Sequence, residues 1–215
     1  MNKQRHFSFF DKLIVESDRV LRTLSHQGTA ATAISPAKAH DETALSSAER
    51  KHSAGLMRIN HTGEVCAQAL YQGQSITARL PDVRAEMDKA AKEEVDHLNW
   101  CAERLDELNS RPSLLNPVFY GLSLSMGALA GAVSDKVSLG FVAATEELVC
   151  KHLEKHLDEL PEQDHKSRAI VSEMLEDEAR HQQAAMDAGG SEFPAPLKLV
   201  MKVLSKTMTK STYHI

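Results

Sequence analysis

At 215 residues the chain is long enough for one domain with a sizeable core and short appendages. The net charge of −5 gives no basis for nucleic-acid binding, and low aromatic content (5%) with plentiful Ala, Leu, Glu and Lys favours helix. Three separated cysteines, Cys66, Cys101 and Cys150, form no C-x-x-C pair and suit a reducing compartment.

Residues 1–24 do not read as a secretory signal, because Asp11, Glu16 and Asp18 interrupt the apolar positions. The same acids argue against a transit peptide, so a mature bacterial protein of the cytosol or a membrane surface is expected. Residues 7–24 predict a short amphipathic helix carrying Phe10, Leu13, Ile14, Leu21 and Leu24. Residues 27–46 are small and polar and read as a linker. A long helix over 48–80 should stop at Pro81, with Asp82 capping the next, which runs to Asn109 ahead of Pro112 and Pro117. Residues 114–134 carry no charge. Helices over 135–160 and 164–188 follow, separated by Pro161 and closed by Gly189-Gly190. Pro194 and Pro196 introduce a last helix with Lys198, Lys202, Lys206 and Lys210 spaced four apart. The chain thus divides into an amphipathic helix with a polar linker (1–47), an all-α bundle (48–190) and a basic amphipathic helix (191–215).

One pattern occurs twice in the bundle segment. Glu64 precedes Glu94-Val95-Asp96-His97, and Glu146 precedes Glu178-Ala179-Arg180-His181. Glu-x-x-His alone says little, since 18 Glu and 11 His place about one by chance in such a chain. Four occur: Glu49/His52, Glu94/His97, Glu162/His165 and Glu178/His181. Antiparallel geometry selects among them. Glu64 and the 94/97 pair are centred on the Leu80-Pro81 break, and Glu146 and the 178/181 pair on Pro161. His165 would lie about 20 Å along its helix from Glu178, and Glu49 is similarly remote from Glu64.

Glu and His at i, i+3 project from one helix face. Four carboxylates and two imidazoles in one layer of a four-helix bundle can hold two divalent metal ions. The donors favour iron or manganese over a structural zinc site. Four negative charges also match two divalent ions, whereas without metal the buried carboxylates would repel and take up protons. Glu93, Asp96, Glu147, Glu176 and Asp177 are expected on solvated helix faces.

The stretches Leu56-Met57-Arg58-Ile59-Asn60-His61-Thr62-Gly63-Glu64-Val65, Glu93-Glu94-Val95-Asp96-His97-Leu98, Ala144-Thr145-Glu146-Glu147-Leu148 and Asp177-Glu178-Ala179-Arg180-His181 resemble the bacterial demethoxyubiquinone hydroxylases. The resemblance covers about 48–190 and implies a ferritin-like bundle. It implies that Glu64, Glu94, His97, Glu146, Glu178 and His181 hold two ferrous ions. The implied reaction hydroxylates the open ring carbon of a polyprenylated methoxy-methyl-benzoquinone with dioxygen, in ubiquinone biosynthesis. An external electron donor is implied, a nicotinamide or a reductase, since no nucleotide-binding loop is visible; the quinol itself is a third source. The implied location is the cytoplasmic face of the bacterial inner membrane, as a peripheral protein. The family often carries a His-Tyr pair after the third ligand; here His152 is followed by Leu153.

Residues 114–134 are long enough to consider as a membrane span, but Asn116, Pro117 and three serines favour a helix that covers the bundle beside an apolar tail. Gly127-x-x-x-Gly131 suggests close helix packing. The last helix combines its lysines with an apolar side of Leu197, Val200, Met201 and Leu204, which suits an anionic membrane surface or ordinary packing. His61 and His152 are candidates for supporting a ligand by hydrogen bond, His156 for the surface, and Cys101 and Cys150 for small core fillers. Rival readings are a bacterioferritin-like iron store, a rubrerythrin-like peroxidase, which would want C-x-x-C pairs, and a membrane-surface quinone carrier without turnover.

Overall fold

The structure is a computed structural model describing residues 8–25 and 31–215, with the side chains of 9, 12, 13 and 81–89 outside the description. Its elements among the described residues are α-helices and one 3-10 turn. They are α1 (Phe9–Ser25), α2 (Ser47–Thr77), α3 (Pro81–Glu107), α4 (Asn116–Val133), α5 (Asp135–Glu159), α6 (His165–Asp187) and α7 (Ala195–Thr212), with a 3-10 turn at Pro36–Ala39. The start of the predicted first helix at Phe7, and residues 27–30 of the predicted linker, lie outside the described residues.

Local chemistry sets the ends of these helices. Ser46 and Glu49 form a reciprocal capping box at the start of α2, so the first Glu-x-x-His pair is used for capping, far from Glu64. Pro81 opens α3 at its first turn, where a missing N–H costs nothing. The expected cap at Asp82 is therefore corrected: Leu80 holds the N-cap position and Asp82 lies inside the helix. The carboxylate of Asp135 instead secures the α2–α3 connection, accepting from the backbone N–H groups of Arg79 (3.0 Å) and Leu80 (3.1 Å). Asp164 caps α6 through Ser167 N–H, and Gly189, with φ +96°, ends it in the left-handed conformation that glycine adopts without strain.

Hairpins α2–α3 and α5–α6 pack into a four-helix bundle, with α4 laid along α2. Two apolar layers fill the bundle. One joins Met57, Trp100, Leu105, Leu153, Ile170 and Met174 at the end where α2 begins, and the other joins Leu70, Leu139, Val142 and Ala185 at the opposite end. Residues 64, 94, 97, 146, 178 and 181 fall between them. The sequence order thus places a polar layer inside an apolar sandwich, where charge can be tolerated only if paired.

The linker is less loose than its composition predicts. Thr32 donates its N–H (2.6 Å) and its Oγ1–H (2.7 Å) to Asp96, the Ala33 N–H adds a third hydrogen bond, and Glu42 pairs with the buried Arg104 at 2.7 Å. Asp96 is accordingly buried, correcting its expected place on a solvated face. Polar side chains on α3 recruit the segment where an apolar pattern is missing.

Helix α4 is inverted relative to an ordinary surface helix. It buries Asn116, Tyr120, Ser123, Gly127 and Gly131 against the bundle and exposes Val118, Leu122, Leu129 and Val133. A Cβ on Gly127 would run into the Leu70 carbonyl of α2, so the expected close packing is present. Among the described residues no helix is long and apolar enough to cross a membrane. Helix α7 also keeps apolar side chains outside, Leu199, Val203 and Leu204 among them, while its Lys198 is tied to Glu147 at 2.6 Å.

Candidate metal centre

Each bundle helix contributes at the same height: α2 Glu64, α3 Glu94 and His97, α5 Glu146, and α6 Glu178 and His181. All six are buried. His97 Nδ1 lies 3.3 Å from Glu94 Oε2, 3.3 Å from Glu178 Oε1 and 3.7 Å from Glu64 Oε2. His181 Nδ1 lies 3.1 Å from Glu178 Oε2 and 3.3 Å from Glu94 Oε1. Glu94 and Glu178 therefore each turn one oxygen to His97 and the other to His181. Ligand atoms of Glu64, Glu94, His97 and Glu178 all lie within 4.8 Å of one another. Glu146 stands close enough to Glu178 and Glu94 for their charges to oppose its ionisation.

The electrostatics are those of a charge cluster closed off from water. Burial, then the neighbouring Glu94, pushes Glu64 well above the carboxylate range; burial, then Glu178 and Glu94, does the same to Glu146. Burial also opposes ionisation of Glu94, but the adjacent His181 and His97 imidazoles outweigh it and hold Glu94 below its ordinary value. Burial disfavours charge on the two imidazoles, yet Glu178 and Glu94 push His181 up to about 12, and Asp177 with the same carboxylates raises His97.

Among the described residues, several donors in it have no hydrogen-bond partner: Glu64 Oε2, both oxygens of Glu94 and Nδ1 of His97. Buried polar atoms left unpaired are costly, and a cation at their meeting point removes the cost. The residues present therefore fit hard or borderline divalent ions. Cysteine is not among them. Burial pushes the Cys66 and Cys150 thiols up to about 11 and raises Cys101 as well, so all three stay protonated as packing groups.

Comparison with known proteins agrees with this geometry. Residues 51–212 match the family described as ubiquinone biosynthesis protein COQ7. Proteins named 3-demethoxyubiquinol 3-hydroxylase are similar over all 215 residues and over the whole of their own length. The one from Azotobacter vinelandii is 60% identical, that from Ectopseudomonas mendocina 59% and that from Pseudomonas fluorescens 57%. The chain belongs to the COQ7 family. A solved dodecameric thioferritin, the bacterioferritin-related protein of Bacteroides fragilis, superimposes with a TM-score of 0.51 at 17% identity. That match covers 64% of this chain and 84% of that one, and shows the fold to be ferritin-like.

In this COQ7-family chain the outer face of each imidazole is also held. His97 Nε2 meets Asp177 at 2.9 Å, and His181 Nε2 meets Glu93 at 2.6 Å. This corrects the expectation that Asp177 and Glu93 sit on solvated faces; Glu176 does. The sequence held a signal for both, because an acid immediately precedes each Glu-x-x-His and the two cross over to the other motif's histidine. Tyr71, whose Oη donates to Glu146 at 2.6 Å, also escaped notice, although it lies two turns after Glu64 on the same face.

The candidate supporting histidines separate. His61 is fully buried one turn before Glu64, with Asn116 Nδ2 at 3.3 Å from its Nδ1. His152 lies against His156, ring centroids 4.0 Å apart, and its buried Nε2 has no hydrogen-bond partner. His156 is itself buried and 2.7 Å from Asn60 Oδ1, correcting its expected surface position. Leu153, where the family often has tyrosine, joins the apolar layer with Met57 and Ile170. The pair Glu162/His165 remains exposed and away from the centre.

Proposed function

We propose that this chain hydroxylates the open ring carbon of a polyprenylated demethoxyubiquinol, with dioxygen as oxidant, at a di-iron centre held by Glu64, Glu94, His97, Glu146, Glu178 and His181. The observation carrying this reading is the convergence of six buried donors with unpaired oxygens at its middle, in a chain 57–60% identical to proteins named for that reaction. Glu94 and Glu178 each face both histidines and would contribute to both halves of such a centre. Glu64 with His97 would complete one half and Glu146 with His181 the other.

Two irons, when bound, supply the activation of dioxygen, for which these side chains lack the redox chemistry. The rest falls to the protein. The Nδ1 atoms of His97 and His181 would be the nitrogens offered to the ions, while each Nε2–H donates to its outer carboxylate, Asp177 or Glu93, which fixes the tautomer and ring orientation. The two apolar layers keep bulk water away. One oxygen atom enters the ring C–H bond and the other leaves as water, which requires two electrons and two protons. A quinol substrate holds both in its own oxidation to the quinone; a nicotinamide or a reductase is the external alternative.

The long apolar tail of such a substrate brings the chain to a membrane surface. The uncharged, outward-facing apolar side of α4 and the apolar and lysine-bearing faces of α7 support peripheral attachment at the cytoplasmic face of the inner membrane. The test is product analysis with a demethoxy-quinol, dioxygen and iron-loaded protein, with and without added reductant. The wild type is expected to add one oxygen atom and Glu178→Ala none. Absence of hydroxylated product from the iron-loaded wild type under every reductant would overturn the reading.

A further inference from the structure

Among the described residues, the carboxylates of the centre are held in unlike ways. Glu94 and Glu178 each lie between two imidazoles, and Glu64 faces one. No histidine nitrogen lies within ion-pair distance of Glu146. Its hydrogen bond comes instead from the opposite side of the bundle, where Tyr71 Oη donates to Oε1 at 2.6 Å. Tyr71 is 1% exposed and packs in the apolar layer with Leu70, Val142 and Ala143, so the phenol has no alternative position in water. Seven residues separate Glu64 from Tyr71 on α2, two helical turns, and both project toward the bundle axis.

From this geometry we infer that Tyr71 is a positioning residue for Glu146, fixing the carboxylate so that Oε2 is presented to a divalent first-row cation in the His181 half of the centre. The inference rests on the reading of Glu146 as a ligand. A carboxylate gripped by one neutral donor on one oxygen keeps its charge available to a cation, whereas an unheld one can rotate among several arrangements. Loss of the hydroxyl should therefore act on one ion of the two. Partners of this kind commonly change metal affinity by about 10- to 100-fold when removed.

The experiment is titration of metal-free full-length protein with Co(II), an absorbing stand-in for Fe(II), following the visible ligand-field bands and competing with a chelator. Wild type should take up two ions. Tyr71→Phe, which keeps the ring and removes the hydroxyl, should bind one ion as before and the other about 10-fold or more weakly, with altered bands for that ion alone. Unchanged affinity and bands for both ions would overturn the inference, as would an equal weakening of both. Glu146→Gln separates this from the reading beneath it. If that variant binds both ions like wild type, Glu146 is not a ligand; if it loses an ion while Tyr71→Phe does not, only the role of Tyr71 falls. Should Tyr71→Phe alone fail to fold, the double variant Tyr71→Phe/Glu146→Gln decides. Metal binding equal to Glu146→Gln supports the inference, and weaker binding overturns it.

Discussion

His97 and His181 each use both ring nitrogens, Nδ1 toward the centre and Nε2 toward an acid that precedes the other Glu-x-x-His motif. Because the pairing crosses between α3 and α6, each histidine is oriented by the helix opposite its own. Asp177→Asn keeps the shape and an acceptor oxygen but removes the charge that makes His97 a better donor to metal. It is expected to weaken metal binding about 10-fold or more, read by chelator competition, with the metal-free protein folding as before. A different pair of imidazoles adds its own contribution to pH dependence. Burial, then His152, Lys155 and His52, drives His156 down to about 2, and burial, then Lys155, drives His152 down to about 4. Their folded values lie below the unfolded value of 6.5, so the unfolded chain binds more protons at acid pH. Stability is full above 6.5 and is lost as pH falls toward those folded values, at about 1.4 kcal/mol per pH unit for each histidine kept neutral. Urea unfolding of His156→Asn should therefore show a shallower decline below pH 6.5 than wild type, with the two curves parallel above it.

Helix α4 is positioned by the absence of side chains. At Gly127 an added Cβ meets the backbone carbonyl of Leu70, which cannot swing aside, while at Gly121 it meets nothing within 4 Å. Gly127→Ala is expected to cost about 1–3 kcal/mol in urea unfolding as α4 is pushed off α2. Gly121→Ala should be neutral or stabilising by up to about 1 kcal/mol through helix propensity. An equal effect of both would show that α4 is not closely seated. Much of this level was legible beforehand. Proline breaks, a capping box and the 3.6-residue period are local properties, so the helices were read to within a few residues, and the doubled Glu-x-x-His pattern placed its six residues in one layer. Asp96 was not legible as a buried group, because nothing in its own helix distinguishes it from a solvated acid. Its partner, Thr32, arrives from 64 residues away. His156 was hidden for the same reason: its acceptor, Asn60, is on α2.

The molecule is a polar layer between two apolar ones, wrapped by helices whose apolar sides face outward. On the proposed function, the first property should make stability depend on metal. Ions bound to the folded chain alone stabilise it by about 2.7 kcal/mol at a free concentration one hundred times the dissociation constant. Chelation should lower the unfolding temperature accordingly, and Glu94→Ala/Glu178→Ala should abolish that metal dependence. The second property bears on the proposed membrane attachment, to which α4 and α7 would contribute in different ways. Val118, Leu122, Leu129 and Val133 of α4 are all more than half exposed on a helix without charge, so their contribution is apolar and insensitive to salt. Lys202, Lys206 and Lys210 of α7 are exposed, so theirs should fade as ionic strength rises and the Debye length falls below about 10 Å. Leu122→Glu/Leu129→Glu changes exposed positions and should leave the unfolding temperature unaltered. In flotation with vesicles of mixed neutral and anionic lipid, it should release the protein at both low and high salt. Replacing the three lysines by glutamine should weaken flotation at low salt only. Retention of full vesicle binding by the α4 variant would remove α4 from the attachment surface and leave α7 as its carrier.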